Sequence, residues 1–215
     1  MFDPHLLWLY VGAAALLILT PGPDTFLVAA TSAADGRRAG VLASTGVFVG
    51  CLLHILLAAV GVSALIAATP WAFGAIKFAG AIYLVWIGLQ GLRAAWRGRG
   101  GETAQPVARE RRSDRALFLR GALTNALNPK AAVFFIAFLP QFVDPSRGHV
   151  VAQFVILGLI FNVPGTLYLM GVSLISGQAT SALRRQPWVR RALDGLTGLF
   201  FIGLAAHLAR TQVRA

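Results

Sequence analysis

Apolar positions fill six long blocks of this chain, at 6–34, 40–68, 71–95, 116–139, 149–176 and 191–209, separated by polar and basic connections. A helix needs about 20 apolar residues to cross the hydrocarbon core of a bilayer, and each block meets or approaches that length. The pattern predicts an all-α integral membrane protein of six transmembrane helices. Two blocks are interrupted near their midpoints. The first is broken at Thr20-Pro21-Gly22-Pro23-Asp24 and the fourth at Asn125-Ala126-Leu127-Asn128-Pro129-Lys130. A proline inside a helix costs roughly 3 kcal/mol, and a charge at the bilayer centre costs roughly 3 kcal/mol on insertion scales. Both penalties coincide twice, with opposite sign of charge, which points to a transport site built on discontinuous helices.

Composition agrees with the block pattern. The chain is 57% hydrophobic, 13% charged and has a mean hydropathy of +0.69. Soluble domains carry about 25% charged residues, so a soluble surface is excluded. The net charge of +11 would suit nucleic acid only if it were gathered on one platform. It lies instead between the apolar blocks, so no nucleic-acid partner is expected. Cys51 stands alone in an apolar run and reads as a small buried side chain. No metal-binding or nucleotide-binding motif is present, so neither cofactor nor metal is expected. Four scattered histidines and the absence of G-x-S-x-G argue against an intramembrane enzyme.

Charge asymmetry sets the expected orientation. Arg37 and Arg38, the arginines between 93 and 120, and those between 184 and 191 fall on one side of the predicted spans. Only Lys77, Arg147, Arg210 and Arg214 fall on the other. The first side is then cytoplasmic and both termini lie outside. Trp8 and Trp71 fall at outer ends, Trp96 and Trp188 at inner ends. No basic stretch precedes the first block, which therefore reads as retained rather than cleaved. Three spans per half force opposite insertion, so one transmembrane domain of two halves, 1–95 and 116–215, forms a 3+3 inverted repeat. The basic segment 96–115 links the halves and can touch lipid headgroups. Gly80, Leu84, Ile87, Gly88 and Leu89 align at a common offset with Gly195, Leu199, Ile202, Gly203 and Leu204. Pro23-Asp24 aligns with Pro129-Lys130 at a different offset, 106 rather than 115.

The breaks hold most of the candidate site residues. Gly22 permits unusual dihedrals and close approach of a substrate. The half-helix opening at Pro23 points its positive end at a substrate carboxylate. Asp24 suits an ammonium group or a coupled proton, or else caps a helix end. Lys130 can pair with Asp24, hold a carboxylate or snorkel to an interface. Asn125 and Asn128 add amide groups one turn apart. His54, deep in the second span, is either a proton relay or a neutral hydrogen-bonding group between helices. Gly46 and Gly50 form a close-packing pattern. Asn162-Val163-Pro164-Gly165 is expected to interrupt the fifth span and turn freed carbonyls toward the same cavity.

These residues carry a resemblance over nearly the whole chain. Gly22-Pro23 with Val28, Arg38-Ala39-Gly40 with Gly46, Gly50 and His54, and Lys77, Gly80, Tyr83 and Gly88 follow one family's first three spans. Phe118, Gly121, Asn125, Asn128, Pro129 and Lys130, continuing to Phe134-Phe135 and Pro140-Gln141-Phe142, form the most specific part. The chain resembles the lysine exporter family, the lysine/homoserine/threonine exporters of LysE/RhtB type. The resemblance implies a proton-driven exporter of neutral or basic amino acids in the bacterial inner membrane, often a homodimer. It also implies site roles for Asp24, Asn128, Pro129 and Lys130. A passive small-solute channel is the alternative.

Overall fold

A computed structural model describes residues 2–62 and 112–175, with isolated helical positions at 64 and within 78–96 and 195–203. Most of the third and sixth predicted spans and of the 96–115 linker lies outside the described residues, so the repeat matches of spans three and six are not compared there. Within the described residues the chain is all-helical and without strands. It runs α1 (Pro4–Leu19), α2 (Pro23–Asp35), α3 (Arg37–Leu57), α4 (Asp114–Ala126), α5 (Pro129–Val133) and α6 (Val150–Ile175). A π-helical turn, Ala58–Val62, extends α3; another, Phe134–Phe138, followed by a 3-10 turn, Leu139–Phe142, extends α5.

Local chemistry sets the ends. Asp3 caps α1, its carboxylate accepting from the His5 N–H at 2.8 Å and the Leu6 N–H at 3.3 Å, with Pro4 in the first turn. The helix stops at Thr20, whose ψ of 117° is the extended setting that Pro21 imposes on its predecessor. Asn128 is extended for the same reason before Pro129, with ψ 111°. Gly36, at φ +92°, ends α2 and opens α3 in a conformation that favours glycine. The Ser113 hydroxyl accepts from the Ala116 N–H and caps α4.

The stretches Arg37–Gly61 and Val150–Ile175 are each long and apolar enough to cross a membrane. Pro4–Leu19 with Pro23–Asp35, bent by 44°, and Asp114–Ala126 with Pro129–Phe142, bent by 47°, pass the same test as pairs. Burial runs opposite to that of a soluble bundle. Leu56, Leu57, Leu167 and Leu174 are exposed, whereas Ser44, Gln153, Asn162 and Ser173 are buried. Lipid solvates the first group; the second must be satisfied inside the protein.

Packing without a hydrophobic drive between helices relies on small residues that let backbones approach. The predicted Gly46 and Gly50 pattern serves this purpose: a Cβ at Gly46 would meet the Phe118 carbonyl, and one at Gly50 the Ala122 carbonyl. Gly121 faces the Ala43 carbonyl in return. Helices α3 and α4 therefore touch backbone to backbone. A larger aromatic core joins Tyr10, Phe134, Phe135, Phe138, Phe142 and Phe154, and the Tyr10 hydroxyl donates to the Leu157 carbonyl at 2.7 Å.

The fifth span departs from expectation. Helix α6 runs unbroken from Val150 to Ile175 with Pro164 inside it, so the predicted interruption is absent. A proline removes one hydrogen bond, and neighbouring helices can re-satisfy the backbone it frees.

A clamp precedes this helix. Gln153, fully buried, donates to the Asp144 and Gly148 carbonyls at 2.9 and 2.7 Å and accepts from the Asp144 N–H at 2.9 Å. It closes the turn that leads into α6. In that turn the Ser146 hydroxyl holds the exposed Asp144 carboxyl below the usual carboxylate range. Gln153→Leu is expected to destabilise the protein by about 1–3 kcal/mol. Heat-induced loss of monodisperse protein in detergent would read this out; an unchanged midpoint would remove the clamp's role.

Candidate functional site

The two breaks meet. Asp24, in the first turn of α2, accepts at Oδ2 from the Asn125 and Asn128 amides, each at 2.9 Å. Asn125 closes α4 and Asn128 caps α5, so both donors come from the fourth-span break. The exchange is reciprocal. Lys130, at the start of α5, donates through Nζ to the Leu17 and Thr20 carbonyls at 2.9 and 2.8 Å. Those carbonyls lie at the end of α1, where the helix leaves acceptors without intrahelical donors and its dipole favours a cation. Each break thus satisfies groups freed by the other. The partly buried Lys130 ammonium is held by backbone carbonyls of α1.

Gly22 does its work differently from expectation. Its φ of −150° and ψ of −174° are extended backbone that any residue adopts. A Cβ there would lie at ordinary contact distance from Lys130, 3.4 Å from Cδ and 3.5 Å from Nζ. Pro23 and Pro129 occupy the first turns of α2 and α5 and set where the half-helices begin.

Of the two readings of His54, the structure displays the interhelical bond. The ring is buried, its Nε2 lies 3.0 Å from the Asn125 carbonyl, and it stacks on Phe135 with centroids 5.9 Å apart. That carbonyl is an acceptor, so Nε2 carries the hydrogen. His54 lies behind Asn125 and does not line the cavity. Asn162 does line it, but its amide donates to the Phe48 carbonyl at 3.2 Å, tying α6 to α3.

The cavity between these elements holds about 70 Å³, roughly half the ~150 Å³ apolar cavity that admits benzene. Its lining combines a polar cluster, Asp24, Asn125, Asn128 and Lys130, with apolar side chains, Ile18, Val47, Cys51, Phe161 and Leu169, and with Thr25, Asn162 and Thr166. Among the described lining residues Asp24 is the one carboxylate. Two oxygens of the polar cluster, Asp24 Oδ1 and Asn125 Oδ1, are buried without a hydrogen-bond partner. No group of three or more metal-ligating side chains occurs among the described residues.

Sequence reasoning did not find the apolar lining of the cavity. Phe161, Val47 and Leu169 look like any other lipid-compatible residues until the helices pack. It also missed the Leu17 and Thr20 carbonyls, which carry no side-chain signal, although their freeing follows from the break itself.

Comparison with known proteins adds a second kind of evidence. The family described as LysE type translocator matches residues 15–212. A leucine efflux protein of Klebsiella pneumoniae is 34% identical over 206 residues, covering 94% of each chain. A leucine efflux protein of Salmonella choleraesuis is 33% identical over 208 residues, 95% of each. An uncharacterized membrane protein of Pseudomonas aeruginosa is 35% identical over 202 residues, 94% of each. No solved structure matches the chain.

Proposed function

Because the chain belongs to the LysE type translocator family, we propose that it exports apolar amino acids, leucine foremost, from the cytoplasm in exchange for protons. It is a multi-pass membrane protein and a transporter rather than an enzyme. The observation that carries the reading is the interlocked pair of breaks. It sets opposite charges and two amides on a cavity that aliphatic and aromatic side chains also line. An α-amino acid with an aliphatic side chain offers matching groups: a zwitterionic head and a hydrocarbon tail.

The names of the relatives support leucine over the lysine-like or threonine-like substrates of the wider family. The lining supports it too, because a lysine side chain would place a second cation against Val47, Phe161 and Leu169. We assign the substrate ammonium to Asp24 and its carboxylate to the opening of α2, whose N-cap Gly22 supplies no side-chain acceptor for the first amides.

The wider arrangement belongs to the same proposal. Six spans form a 3+3 inverted repeat in the bacterial inner membrane with both termini outside, and alternating access moves the site between the two faces. A homodimer is the proposed assembly.

A screen of amino acids and homoserine in cells with and without the protein tests the reading. Efflux of leucine, isoleucine and valine is expected to rise several-fold and to collapse when an uncoupler dissipates the proton gradient. Efflux that persists without the gradient would make the protein a channel. No change for any amino acid would overturn the assignment.

A further inference from the structure

The two asparagines at the site are not equivalent. Asn128 uses both ends of its amide: Nδ2 donates to Asp24, and Oδ1 accepts from the Lys130 N–H at 3.0 Å. Asn125 uses one. A carboxylate can only accept, so the amide nitrogen must face Asp24, and the Asn125 oxygen is left buried without a donor. Asn125 is 4% exposed, which denies that oxygen bulk water. Asp24 Oδ1 is in the same condition. A single hydrogen bond links the two side chains that carry these oxygens, and both residues line the cavity.

Two buried acceptors on hydrogen-bonded side chains, one of them a carboxylate, suit a cation with at least two N–H groups. We propose that Asp24 Oδ1 and Asn125 Oδ1 form an ammonium subsite, and that a proton on Asp24 closes it. This deepens the export reading and rests on it for direction of transport. The chemistry balances with one proton per substrate. Facing the cytoplasm, the Asp24 carboxyl releases its proton, and the carboxylate and the Asn125 oxygen take the incoming –NH3+. Facing outward, the ammonium leaves and a proton returns to the carboxylate. The Asp24 carboxyl with its proton and the carboxylate with its ammonium present the same local charge beside Lys130, which lines the same cavity. Proton and ammonium are therefore interchangeable occupants of one carboxylate, and each excludes the other.

The ionisable groups around Asp24 do not substitute for it. Lys130 on α5 is engaged with the α1 carbonyls, His54 on α3 with the Asn125 carbonyl, and Cys51 on α3 and Tyr168 on α6 line the cavity.

The test is binding to the purified full-length protein across a pH series, in weak buffer with a pH indicator. Leucine is expected to release protons on binding, up to one per molecule bound. N,N-dimethylleucine, with one N–H, is expected to bind about 10- to 100-fold more weakly, since one buried acceptor stays unmet. In Asn125→Leu that ratio is expected to fall toward unity, because only leucine loses a contact; a merely structural defect would weaken both ligands alike. Equal binding of the two ligands to the wild type, or leucine binding without proton release at every pH, would overturn the subsite. Binding of sodium ion alone, with no response to leucine, would overturn it as well. 3-Methylbutylamine, which lacks the carboxylate, separates the two proposals. If it binds with proton release and leucine does not, the subsite stands and the amino-acid reading falls. If neither binds, both fall.

Discussion

Asp24→Asn is expected to stop leucine efflux while the protein still accumulates in the membrane. The substitution is nearly isosteric, and an amide oxygen can still accept from Asn125 and Asn128 in place of Oδ2. What changes is the other arm of the side chain. It becomes an NH2 donor facing the cavity where the carboxylate offered an acceptor, and the counter-charge to a substrate ammonium is gone. Losing one member of a buried charged pair costs about 2–5 kcal/mol, which corresponds to about 30-fold or more in binding. Proton exchange ceases for the same reason. Efflux from cells preloaded with a leucine-containing dipeptide, normalised to protein in the membrane fraction, measures the effect. Wild-type efflux in the variant would refute the role of Asp24.

Gly46→Val and Gly121→Val are expected to abolish the folded protein altogether. At each position the new Cβ would collide with backbone of the facing helix, Phe118 and Ala122 in one case, Ala43 and Val47 in the other. A side chain can rotate out of the way, but a carbonyl on a packed helix moves only if the helices part. Overpacking typically costs 1–3 kcal/mol and occasionally more; backbone collision on both sides of one interface belongs at the upper end or beyond. Parting α3 from α4 would also separate His54 from the Asn125 carbonyl and unseat the amides that hold Asp24. Gly12→Val is the control, since a Cβ at Gly12 meets nothing within 4 Å. Size-exclusion chromatography of detergent extracts should show aggregate for the first two and a wild-type peak for the third. Monodisperse Gly46→Val protein would refute the backbone contact.

The parts of this structure that were legible in the sequence are those written in backbone chemistry. Pro21 and Pro129 constrain their predecessors whatever the surroundings, so both breaks fall where the prolines put them. The apolar blocks at 40–68 and 149–176 correspond to helices α3 and α6 because length and hydropathy alone decide such elements. Pro164 shows the limit of the same logic: proline marks a weakness, but α6 runs straight through it. Partnership was less legible than position. Asp24 and Lys130 stood out as opposed charges, yet the partners described for them are two amides and two carbonyls, fixed by how α1, α4 and α5 converge. The group that His54 bonds was not legible before the position of Asn125 was known. Gly22 was singled out for backbone freedom, while its extended dihedrals are open to any residue.

The grip of Lys130 on Leu17 and Thr20 also imposes an order on the making of the protein. The donor lies 113 and 110 residues after its two acceptors. At about 5–20 residues per second of synthesis, the lysine leaves the ribosome roughly 5–20 s behind the carbonyls it will hold. Throughout that interval the end of α1 lacks its ammonium cap, in a medium that gives open carbonyls nothing to bond. The end of α1 is thus made early and finished late, its final shape set by a residue more than a hundred positions downstream.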